Sequence, residues 1–160
     1  MGTKRIGLAR VQALIEDLKR EVQLNQTTLV GSLQKTISLT GAGATKTLTA
    51  DDNGALVILG GSNASEVMLP PVLDGLRFTF YATTAFDHVV GAQTAVIQGV
   101  VYDNNDEPAG DAGSPARTAV ADKSDITLVN PAIGDSLEFY SDGTNWYVKG
   151  WTNDTPSLGI

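Results

Sequence analysis

Two textures of hydrophobic and polar positions divide the chain. Residues 4–24 hold no proline, and no glycine after Gly7, and are rich in Leu, Ala, Glu, Lys, Arg and Gln, all good helix formers. Within them Leu8, Val11, Ile15, Leu18 and Val22 recur with alternating spacings of three and four, the seam that lets one helix pack along another. Leu14 widens the stripe, and Glu16–Arg20 forms an i,i+4 pair on the opposite side. The spacing predicts an amphipathic helix that packs on its own domain or on another copy, with self-association slightly favoured.

After Leu24 the helical pattern stops and Thr, Val, Gly and Ala dominate. Segments 36–40, 46–50, 55–59, 66–69, 76–82, 95–102, 119–121, 125–129, 136–140 and 146–150 read as strands, separated by Gly, Pro, Asn or Asp. Asn53-Gly54 is the pair favoured in a two-residue type I′ turn, which predicts a hairpin joining 46–50 to 55–59. Ser141-Asp142-Gly143-Thr144 predicts a second hairpin. There Leu137, Phe139, Trp146 and Val148 alternate with polar residues, so Trp146 belongs to the core and Tyr147 to the opposite face. The unbroken run Ala55-Leu56-Val57-Ile58-Leu59 predicts a strand covered on both faces or used as an interface. With no helical crossovers to build a parallel sheet, the expected fold is all-β. It is an antiparallel β-sandwich or jelly-roll-like body over 26–160, preceded by an α-helix in 1–25.

Composition narrows function. The 160 residues include no cysteine and a single histidine, His88, which removes disulfides, thiolate metal sites and cysteine nucleophiles and leaves few routes to a hydrolase triad. The net charge is -7, unsuited to a nucleic-acid partner. It is unevenly spread: residues 1–24 carry five basic and three acidic groups, and the remainder carries six basic and fifteen acidic groups. A basic stem on an acidic body suggests different partners at the two ends. No secretory leader and no membrane-length apolar run is evident.

Motifs with chemistry fail on spacing. Asp103, Asn105 and Glu107 alternate like a calcium loop, but Pro108 stands where the turn glycine belongs and Ser114 where the closing glutamate belongs. Gly41-Ala42-Gly43-Ala44-Thr45-Lys46-Thr47 lacks a lysine directly after glycine and leads into a strand pattern. Asp87 and His88 are adjacent, so in an extended segment they diverge. Asp51–Asp52 and Asp135–Glu138 are pairs of the kind chance supplies in an acidic chain. No catalytic, metal or cofactor site is expected, and the chain reads as a non-enzyme. The loop 103–115 and the outward aromatics Tyr147 and Trp151 are the candidates for surface contact, with a partner subunit or with sugar rings.

Two stretches resemble β-rich structural proteins of tailed-bacteriophage virions. One runs from Asn53-Gly54-Ala55-Leu56-Val57-Ile58-Leu59 through Val67-Met68-Leu69-Pro70-Pro71 to Gly75-Leu76-Arg77-Phe78-Thr79-Phe80-Tyr81. The other is Gly134-Asp135-Ser136-Leu137-Glu138-Phe139-Tyr140-Ser141-Asp142-Gly143-Thr144-Asn145-Trp146-Tyr147-Val148. The opening Gly2-Thr3-Lys4-Arg5 and its helix resemble the start of head-fibre or capsid-decoration proteins. The resemblance implies a virion subunit assembled in the host cytoplasm, oligomeric and often trimeric, with its N-terminus nearest the particle. Lys4, Arg5, Leu8, Val11, Ile15, Leu18 and Val22 would then anchor it or oligomerise it. Its partners would be itself, the major capsid protein or another virion protein, and a host surface glycan, with no nucleic acid and no membrane.

Overall fold

The computed structural model describes residues 10–17, 35–103 and 116–159. The chain divides into two compact units, Met1–Gln34 and Lys35–Ile160. In the first, residues 10–17 form a helix, α1. The rest of the expected 4–24 helix, with Lys4, Arg5, Leu8, Leu18 and Val22, lies outside the described residues, as does most of the loop 103–115.

The second unit is an all-β sandwich. Its strands are β1 (Thr36–Leu39), β2 (Thr45–Thr47), β3 (Leu56–Leu59), β4 (Glu66–Leu69), β5 (Asp74–Ala82), β6 (His88–Ala92), β7 (Ile97–Asp103), β8 (Ala116–Lys123), β9 (Asp125–Leu128), β10 (Ser136–Asp142), β11 (Trp146–Thr152) and β12 (Ser157–Leu158). A seven-stranded sheet has the order β1-β3-β5-β10-β11-β7-β8, and a five-stranded sheet the order β12-β9-β6-β4-β2. Sequence alternation locates ten of these strands and misses two. β6 is short, contains Gly91 and begins at a histidine, and β12 is only two residues long.

Pairing departs from the antiparallel expectation: both sheets are mixed. The first six strands alternate between the sheets, so β1, β3 and β5 run parallel in one, and β2, β4 and β6 parallel in the other. The chain winds as a flattened coil and returns to the same sheet roughly every 20 residues, as the pairings Thr36 with Leu56 and Thr45 with Glu66 show. A strand of the opposite sheet serves as the crossover, so parallel neighbours need no helix here.

The expected Asn53-Gly54 hairpin is therefore absent, because β2 and β3 belong to different sheets. A type I′ turn needs positive φ at both central residues. Asn53 instead has φ -53 and ψ 135, and Gly54 has φ 78, which is type II geometry. The Ala55 N–H closes that turn on the Asp52 carbonyl at 3.0 Å. Asn53 Oδ1 accepts the Arg77 N–H at 2.8 Å, and the Gly54 N–H donates to the Arg77 carbonyl at 2.8 Å. The pair thus docks a corner of the coil onto β5. Below it Asp52 is buried, ion-paired to Lys35 and accepting the Thr49 N–H and hydroxyl.

The second predicted hairpin is present. β10 and β11 pair antiparallel with Phe139 opposite Val148 and Tyr140 opposite Tyr147. Asp142 Oδ1 accepts the N–H groups of Thr144 and Asn145, each at 2.8 Å. The inner faces of the two sheets bury Val57, Leu59, Phe78, Phe80, Leu137, Phe139, Trp146, Val67, Leu69, Ile126 and Leu128. Phe78 tilts against Trp146 at 5.8 Å, and Phe80 meets Phe139 edge-on at 5.4 Å, arrangements that suit aromatic quadrupoles. In β3, Val57 and Leu59 are buried while Leu56 and Ile58 are half-buried.

Candidate functional site

The outer face of the seven-stranded sheet is where exposed aromatic chemistry collects. Alternation along β5, β10 and β11 sends Phe78, Phe80, Leu137, Phe139, Trp146 and Val148 inward, and so turns Arg77, Tyr81, Glu138, Tyr140, Tyr147, Lys149 and Trp151 outward. Register aligns them across strands. Tyr81, Ser136, Trp151, Tyr102 and Arg117 form one row across β5, β10, β11, β7 and β8. Arg77, Tyr140, Tyr147 and Gln98 form another. Glu138 and Lys149 lie opposite each other between the rows.

Tyr147 is 39% and Trp151 46% exposed, with Tyr81 and Tyr140 similarly open. Trp151 stacks on Tyr102, ring centroids 4.9 Å apart and planes 24° from parallel. The Arg77 guanidinium lies 5.6 Å above the Tyr140 ring, within cation–π range. The Tyr147 hydroxyl donates to Asp142 Oδ2 at 2.9 Å, and the Tyr140 hydroxyl donates to Glu138. Because Glu138 takes that proton in a hydrogen bond, the Tyr140 phenol titrates above its ordinary value. The N–H groups of Asn145 and Thr144 hold the Asp142 carboxyl below its ordinary value.

Alternation along β11 identifies Tyr147 and Trp151 as outward residues. Tyr140 joins them across the β10–β11 hairpin, while Tyr81 and Tyr102 join only through pairing with distant strands, which no local pattern encodes.

The helical candidates form a second exposed group. Val11, Leu14 and Ile15 of α1 are 59%, 72% and 48% exposed, an apolar stripe on one side of a helix whose described residues are all exposed.

The remaining polar candidates hold backbone. His88 is fully buried. Its Nδ1 accepts the Ser65 N–H at 3.0 Å, so Nε2 carries the proton and faces Thr84 Oγ1 at 3.2 Å. Burial lowers its pKa, against smaller opposing effects from Thr84 and Asp87. Asp87 accepts the Asn130 N–H at 2.8 Å and so does not orient the imidazole. Asp135 is buried and accepts the N–H groups of Asn153 at 2.7 Å and Ala132 at 3.1 Å. Its burial outweighs those bonds and raises its pKa. Glu138 lies on the outer sheet face, so the pair does not form a shared acid–base site. Among the described residues no three His, Asp or Glu side chains form a metal-binding group, and no helix is long and apolar enough to cross a membrane.

Comparison with family models, with curated proteins and with solved structures finds no match.

Proposed function

We propose that this chain is a non-enzymatic structural protein of a tailed-phage virion, a capsid decoration or short head-fibre subunit held on the head by its N-terminal helix. It would assemble in the host cytoplasm with the major capsid protein and with further copies of itself, as a homotrimer. The observation that carries this reading is the division of labour between the two units. The described residues of the second unit bury a hydrophobic core of their own, while α1 presents Val11, Leu14 and Ile15 to solvent. A contiguous apolar stripe of that kind suits a partner surface. A trimer would also multiply a short anchor into an avid one.

The test is Ile15→Asp in the full chain. Co-sedimentation with heads of the parent phage should weaken by roughly tenfold or more, as for loss of a central interface residue, with the thermal transition of the β body unchanged. A lowered transition would make the helix part of the folded core and sink the anchoring role. Light scattering of the full chain tests the trimer.

A second reading, a receptor- or glycan-binding domain of a tail fibre, is favoured by a separate observation: Tyr147 and Trp151 stand exposed on one sheet face with further aromatic residues beside them.

A further inference from the structure

We propose that the outer face of β5, β10, β11, β7 and β8 binds an acidic polysaccharide, with sugar rings stacked on Trp151 and Tyr147 and carboxylates held by Lys149, Arg77 and Arg117. This deepens the glycan-binding reading above and does not depend on attachment through the helix.

The geometry supplies two flat apolar plates with a cation between them. Trp151 and its stacked neighbour Tyr102 make one plate. Tyr147 makes the other, with Tyr140 opposite it in register and covered by the Arg77 guanidinium. Tyr147, Lys149 and Trp151 are alternate residues of one strand, so the two plates are rooted on the backbone about 13 Å apart at the usual rise per strand residue, with Lys149 midway. The C–H face of a pyranose ring is apolar and slightly positive, and it fits the negative face of an indole or phenol. The hydroxyls of Tyr140 and Tyr147 are already tied to Glu138 and Asp142. Both rings are thereby held in place before a ligand arrives, which limits the ordering cost of binding. Each of those carboxylates keeps lone pairs that can accept a sugar hydroxyl.

Charge selects the class of sugar. Beyond residue 24 the chain carries fifteen acidic groups and only six basic ones, yet three of the six, Arg77, Arg117 and Lys149, sit at outward register positions on this face. Glu138 lies opposite Lys149, and three more carboxylates, Asp142, Asp74 opposite it and Asp122 accepting from Gln98, stand at the Tyr147 end. An anionic ligand is therefore drawn to the Trp151 end of the face, beside Arg117 and Lys149, and repelled over the acidic remainder of the body. A nucleic acid also combines rings with negative charge, but tracking its phosphates takes a longer basic groove than three residues in an acidic body provide.

The experiment titrates the full chain with polygalacturonate and with polysialic acid, using dextran as the neutral control and oligo-dT as the nucleic-acid control. Tryptophan fluorescence and calorimetry are the readouts. Trp146 is buried, so a fluorescence change on binding reports Trp151. The expected result is saturable binding to at least one acidic polymer, weaker by roughly tenfold or more in Trp151→Ala, the usual scale for loss of a central aromatic contact. Lys149→Ala should abolish the preference over dextran, with thermal melting of both variants unchanged.

Absence of binding to either acidic polymer would overturn the proposal, as would equal affinity for dextran or tighter binding of oligo-dT. It would also fall if light scattering showed Trp151→Ala dissociating an oligomer while leaving sugar binding intact, since the face would then join copies of the chain. Ile15→Asp alters none of these residues, so the head-attachment reading and this one fail separately.

Discussion

The two halves of the sandwich use the same alternation of buried and exposed residues but build their sheets differently. From β1 to β6 the chain changes sheet at every strand, and each strand lies parallel to the one before last. From β7 onward it stays in one sheet for β7–β8 and again for β10–β11, and both of those pairs are antiparallel. In the first half, the turns only carry the chain between layers, and pairing is set by stacking coil on coil. In the second, a tight turn directly dictates its own register. β10 joins the halves by pairing β5 on one side and β11 on the other.

Removing the packing across that join should have the largest effect. Phe78→Ala deletes a fully buried ring of β5 that packs against Trp146 of β11. It should cost about 3–5 kcal/mol, read by chemical denaturation. If the halves are one cooperative unit, the variant keeps a single transition. Two separated transitions would show that the coil half stands alone.

A smaller effect is expected at the one parallel contact of the second half, β7 with β11. Gly99 has φ +139, and a Cβ there would sit 2.0 Å from the Val148 carbonyl oxygen. Gly99→Ala should cost at least the roughly 1–3 kcal/mol of a non-glycine residue in such a conformation. A neutral result would mean that β7 can shift away from β11 freely.

The smallest expected effect is pH-dependent and lies in the coil half, at His88. Its folded pKa is below the unfolded one, so the unfolded chain takes up a proton first as pH falls. The stability involved is present above about pH 6.5 and is lost as the pH drops through the folded value. Asp135, whose pKa is raised, acts in the opposite sense in the carboxylate range. Comparing melting from pH 7.5 to 5 in the parent and in His88→Gln isolates the histidine. An identical pH slope in both would remove His88 as the cause.

How much of this was legible in the sequence follows from what a period of two encodes. It tells which face a side chain takes, so Trp146 inside and Tyr147 outside follow from Leu137, Phe139 and Val148 alone. It does not tell which strand lies alongside. The Asn53-Gly54 pair illustrates the gap: glycine's positive φ serves types I′ and II alike, and only Asn53, held by the Arg77 N–H in β5, decides between them. The near-20-residue return of the coil also leaves little trace. The paired segments Thr36–Leu39 and Leu56–Leu59 share two aligned apolar pairs, Ile37 with Val57 and Leu39 with Leu59, and little else. Likewise, Arg117 and Tyr102 meet Trp151 through β7 and β8, far from it in sequence.

The winding of β1–β6 also shapes how the molecule is made. Each coil contacts the coil synthesised just before it, so much of the five-stranded sheet can form with short loop closures as the chain emerges, the kind of contact that favours fast folding. β5 is different, because its free edge waits for β10, which is separated from it by four intervening strands. Phe78 and Phe80 therefore finish their burial only when Phe139 and Trp146 arrive. Until then the edge of β5 is open to pairing with the wrong chain.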